Sequence, residues 1–87
     1  MKIKFAHLRT QGIDFAVFNA DVKSQSNQDR ADILAELTSK ARSQGLKIDK
    51  SALVFKHCGK LNFYGVKDLV NYLSNNWNGR FTHTIEL

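Results

Sequence analysis

Ala52-Leu53-Val54-Phe55-Lys56-His57-Cys58-Gly59-Lys60-Leu61-Asn62-Phe63-Tyr64 reads as two strands around a tight turn. Two runs rich in apolar, β-branched and aromatic residues flank Cys58-Gly59-Lys60, where Gly59 supplies the positive φ that a tight hairpin turn demands. In the first run Phe55 and His57 stand two residues apart and so share one face of a strand. The same Phe-x-His spacing recurs at Phe5-Ala6-His7 and Phe81-Thr82-His83, which accounts for all three histidines of the chain. Each repeat marks a strand.

Upstream of the hairpin lies a helix with a clear start and stop. Ser26 precedes Asp29 by three residues, a spacing that lets its hydroxyl satisfy a free backbone N–H. Ile33, Leu34, Leu37 and Ala41 then form one apolar stripe. Lys40 and Arg42 complement the negative end of the helix dipole, and Gly45-Leu46 reads as a left-handed C-cap. Further upstream, Lys2 to Arg9 and Ile13 to Val22 read as two strands joined at Thr10-Gln11-Gly12. Downstream, Gly65 opens a second helix with Asp68 in its first turn and Val66, Leu69, Val70, Leu73 and Trp77 on one face. Asn75 and Asn76 end it, Asn78-Gly79 turns the chain, and Phe81 to Leu87 alternates as a last strand.

The order is ββαββαβ, and at 87 residues the chain holds one α+β domain spanning 1–87. Odd-numbered strand positions carry Ile3, Phe5, Phe15, Val17, Leu53, Phe55, Phe63 and Ile85, and even ones carry Lys2, Lys4, Thr82, Thr84 and Glu86. This alternation predicts a five-stranded, mainly antiparallel sheet with two helices packed on one face. The other face, with Phe18, Tyr64, Lys4 and Lys56, is then left for water or a partner. A faint echo relates Phe5-x-His7, Gly12 and Phe15 to Phe55-x-His57, Gly59 and Phe63, each a hairpin feeding a helix.

Without its first strand the order becomes β-α-β-β-α-β, so a ferredoxin-like domain with an extra N-terminal strand is the alternative. That fold occupies both edges of its first strand, which here would also have to pair with Lys2 to Arg9. The RNA-recognition version further wants glycines interleaved with aromatics before the second helix. Lys60-Leu61-Asn62-Phe63-Tyr64 lacks them.

Hydrophobic residues make up 43% and charged residues 24% of the chain, an ordinary globular balance. No stretch nears the roughly 18 apolar residues of a membrane helix. Met1-Lys2-Ile3-Lys4-Phe5-Ala6-His7 interleaves charge with apolar residues and has no signal-peptide core. One cysteine, Cys58, excludes an internal disulfide framework, so the cytoplasm is the default location.

The net charge of +5 is concentrated. Lys40, Arg42, Lys47, Lys50, Lys56 and Lys60 face only Asp49 in their stretch, whereas the remainder has seven cations and seven acids. Such a bias attracts nucleic acid or an acidic protein.

Catalytic chemistry finds little support. His57 and Cys58 are adjacent and diverge in a strand, although Lys56 and Lys60 lie near enough to favour a thiolate. Asp29 and Asp32 near a helix start serve the dipole. Following the strands up and down places His7 and His57 at opposite ends of the sheet, roughly 20 Å apart at about 3.3 Å per residue. Zinc ligands lie about 2 Å from one ion, so neither a metal nor any other cofactor is expected. The sequence therefore points to a small binding module rather than an enzyme. Its ligand-binding surface is Lys40, Arg42, Lys47, Lys50, Lys56 and Lys60, with Phe18 and Tyr64 as stacking platforms. The alternative is a structural protein that forms a homodimer through the open face.

Overall fold

The two hairpin turns determine how this chain folds. Gln11 and Gly12 have φ of 51° and 77°, and Cys58 and Gly59 have 54° and 76°. Two successive positive φ angles define the type I′ turn, whose twist matches that of the strands it joins. In the computed structural model, which describes residues 2–77 and 79–86, these turns link β1 (Lys2–Thr10) to β2 (Ile13–Asn19) and β3 (Lys50–His57) to β4 (Lys60–Gly65). Helix α1 (Asn27–Ser43) follows the first hairpin, α2 (Lys67–Asn76) the second, and β5 (His83–Glu86) ends the fold. Met1, Asn78 and Leu87 were read above into the N-terminal segment, the Asn-Gly turn and the last strand; they lie outside the described residues.

The strand order is β4-β3-β2-β1-β5. The predicted ββαββαβ sequence of elements is present, but the sheet is mixed rather than mainly antiparallel. β2 and β3 are parallel because α1 carries the chain back to its starting end; the other three pairs are antiparallel. The ferredoxin-like alternative does not hold, since β2 gives one edge to β1 and the other directly to β3.

A two-residue loop pairs an odd-numbered residue with an even-numbered one. Phe5 therefore stands beside Phe18, and Leu53 beside Tyr64. One face carries Ile3, Phe5, Ala16, Phe18, Leu53, Phe55 and Ile85, packed against Leu37 and Ala41 of α1 with Ile33 and Leu34 alongside. The opposite face carries Phe15, Val17, Ala52 and Val54, with Phe63 beside them, packed against Leu69 and Leu73 of α2. The helices thus lie on opposite faces of the sheet, not on one. The expected open face is reduced to a strip of β1 and β5, where Lys4 pairs with Thr84 and Lys2 with Glu86 beyond the reach of α2.

The two middle strands show why. Phe15-Ala16-Val17-Phe18 and Ala52-Leu53-Val54-Phe55 are buried along their whole length. A strand covered on both faces has no polar side, and each large side chain so buried contributes roughly 1.5–3 kcal/mol.

Local signals hold where they were strongest. The Ser26 hydroxyl accepts a hydrogen bond from the Asp29 N–H at 3.1 Å, and Gly45 leaves α1 at φ 88°. Gly65 closes β4 rather than opening α2, whose N-cap is Val66. A Cβ on Gly65 would lie 2.8 Å from the Ser51 carbonyl oxygen, so only glycine lets the two strands approach there.

Candidate binding cleft

The carboxyl ends of the parallel strands β2 and β3 open into a cleft of about 480 Å³. At this end β2 leaves the sheet towards α1, while β3 turns back as β4. Asn19 ends β2, and Asp21 and Lys23 follow on the way to α1. Val54, Phe55 and Lys56 come from the end of β3, and Leu61 from β4. Trp77, Gly79 and Phe81, from the connection between α2 and β5, complete the wall.

Each aromatic is held by its neighbours. The backbone N–H of Trp77 donates to the Leu73 carbonyl at 2.9 Å, and its ring meets Phe63 edge-on at 6.3 Å and Phe81 at 5.4 Å. Both Trp77 and Phe81 pack against the α2-side core and remain partly exposed. Leu61 is half exposed across from them.

The polar lining is set differently. Arg30 of α1 lies 4.7 Å over the Phe55 ring and donates to the carbonyls of Val22 and Lys23 at 2.9 and 3.2 Å. It thereby fixes the segment from which Lys23 extends. The side chains of Asn19, Asp21, Lys23 and Lys56 make no hydrogen bond or ion pair with the described residues. An apolar floor with a few unengaged polar groups, at this volume, fits the roughly 300–1,000 Å³ of small-ligand sites.

The structure distributes the residues expected from the sequence over three places. Lys56 lines the cleft, and Lys60 lies one pair further along the same hairpin. Lys40, Arg42, Lys47 and Lys50 belong to the opposite end of the sheet, where β3 begins. Arg42 donates to the Ile48 carbonyl at 2.7 Å, and Lys47 lies 3.9 Å from the buried Asp14, which Arg9 also approaches at 4.0 Å. These cations thus stand across the length of β3 from Lys56 and Lys60, and the basic stretch forms no single patch.

Neither expected stacking platform is available. Phe18 is fully buried under α1, in contact with Phe5 at 5.2 Å. Tyr64 packs against the same core and donates its hydroxyl to the Asn27 carbonyl at 3.1 Å. Both were misplaced by carrying one odd-even rule across hairpins that reverse it.

The histidines separate as their chain directions require. His7 and His83 meet at 6.0 Å, with the His7 Nε2 2.7 Å from the Lys47 carbonyl, whereas His57 sits exposed beside the β3–β4 turn. Among the described residues no cluster of three metal-ligating side chains exists. Cys58 is a free, exposed thiol within that turn.

Asn19, Asp21, Lys23, Leu61, Trp77 and Phe81 were not expected as site residues from the sequence. They lie on three separate stretches of the chain, 19–23, 61 and 77–81, which meet only in the folded sheet with α2 packed on it. No helix among the described residues is long and apolar enough to cross a membrane. Compared with protein families, with curated proteins and with solved structures, the chain matches none.

Proposed function

We propose that this chain is a non-catalytic binding module whose ligand is anionic and carries an apolar or aromatic group. The observation that supports this reading is the pairing of two unengaged cations, Lys23 and Lys56, with an apolar cleft lined by Leu61, Trp77 and Phe81. Cations beside exposed aromatic surface suit both a nucleic acid and an acidic protein segment. The lining offers amide, carboxylate and ammonium groups but no nucleophile beside a base, which favours binding over catalysis. The cytoplasm suits a chain with an exposed free thiol.

Trp77 is the only tryptophan, so its fluorescence reports on the cleft alone. The test titrates the protein separately with a mixed-sequence single-stranded oligonucleotide and with a glutamate-rich peptide containing phenylalanine. A saturable change with either, lost in the double variant Lys23→Glu, Lys56→Glu, is the expected result. No change with either probe would overturn the reading.

A further inference from the structure

We infer that the occupant of the cleft is an unpaired guanine of a single-stranded nucleic acid, an inference that rests on the anionic-ligand reading above. The observation behind it is Asp21. A site meant for phosphate or carboxylate groups gains nothing from a carboxylate in its wall, yet Asp21 lines the cleft beside Lys23 and Lys56. It makes no ion pair or hydrogen bond with the described residues, so its two oxygens are open to a ligand.

An ionised carboxylate only accepts hydrogen bonds, at two oxygens side by side. The ligand must therefore combine negative charge, a flat apolar surface and two adjacent donors. Guanine offers that donor pair on its Watson–Crick edge, N1–H next to the N2 amine. Adenine and cytosine place one amine beside a lone-pair nitrogen that the carboxylate would repel. Uracil and thymine place one N–H between two carbonyls. Asn19, also lining the cleft, has an amide N–H₂ to donate to the guanine O6.

The remaining contacts follow. The base stacks on the aromatic surface of Trp77 and Phe81, and the flanking phosphates meet Lys23 and Lys56 at the rim. A duplex hides the Watson–Crick edge, so the strand must be single. An acidic peptide satisfies the lysines and the aromatics but brings further carboxylates towards Asp21. Its side chains supply no paired donors in return.

The test uses the full chain and Trp77 fluorescence with three pentanucleotides: uridines with one central guanosine, with central inosine, and uridine throughout. Inosine keeps O6 and N1–H and lacks the N2 amine. Tightest binding to the guanosine oligomer is expected, weakened by about tenfold with inosine as one hydrogen bond to a charged group is lost. Asp21→Asn, at an exposed position without partners in the described residues, should abolish that ranking while leaving the amide spectrum folded. Lys56→Glu should weaken all three oligomers alike. Equal binding of guanosine and inosine oligomers, or an unchanged ranking in Asp21→Asn, would overturn the inference. A response to the glutamate-rich peptide without any response to the oligomers would overturn it and leave the anionic-ligand reading standing. Silence with all probes would remove both.

Discussion

Phe18 and Gly65 show how single positions govern this molecule. Phe18 has no exposed surface and fills the space between Phe5 and α1. Phe18→Ala should cost about 3–5 kcal/mol, as truncating a buried phenylalanine leaves a cavity, and a urea denaturation midpoint will show it. Tyr64→Phe removes only the hydrogen bond to the Asn27 carbonyl and should cost about 0.5–1.5 kcal/mol by the same measurement. Gly65→Ala introduces a methyl 2.8 Å from the Ser51 carbonyl, and neither strand can retreat without breaking the β3–β4 pairing. A loss of about 1–3 kcal/mol is expected, in the range of overpacked sites. The sequence reading took Gly65 as the opening of a second helix, whereas it closes β4. The reason it must be glycine, the approach of the next strand, is a tertiary fact that no local pattern carries.

At the level of elements, the signals that were legible were local ones. Ser26 with Asp29, the stripe from Ile33 to Ala41 and Gly45 define α1 by spacings inside one helix, and they appear as expected. Ser26→Ala should destabilise the fold by about 1 kcal/mol, read as a lower thermal midpoint, because the Asp29 N–H loses its acceptor. The hairpins were equally legible, down to the glycines at their turns. The assignment of faces was not, for two reasons. Type I′ loops of two residues invert the odd-even relation between consecutive strands, so Phe18 and Tyr64 join Phe5 and Phe55. The unbroken runs Phe15 to Phe18 and Ala52 to Phe55 carried the correct message, that β2 and β3 are covered on both sides. Reading them as half-buried strands put both helices on one face and invented an open one. Each hairpin does feed a helix, but the two helices pack on opposite sides of the sheet.

For the whole molecule, topology decides what the charges can do. The basic stretch from Lys40 to Lys60 is contiguous in sequence and divided in space, because β3 carries it from one end of the sheet to the other. At one end Lys47 and Arg9 flank the buried Asp14, and Arg42 holds the Ile48 carbonyl. At the other end Lys56 joins Lys23 over the cleft. Of the residues expected from the sequence only Lys56 lines the cleft. The rest of its lining comes from stretches that meet only in the folded sheet, a meeting that no spacing announces. Charge reversal should follow this division. Lys23→Glu with Lys56→Glu should weaken oligonucleotide binding at least tenfold and flatten its salt dependence. Lys40→Glu, far from the cleft, should change it little. The most direct test of the cleft as the ligand site is an amide ¹H–¹⁵N spectrum of the intact chain, recorded while a guanosine-containing single strand is added at moderate salt. Shifts confined to Asn19, Asp21, Lys23, Lys56, Leu61, Trp77 and Phe81 are predicted; shifts centred instead on Lys40, Arg42, Lys47 and Lys50 would contradict the account.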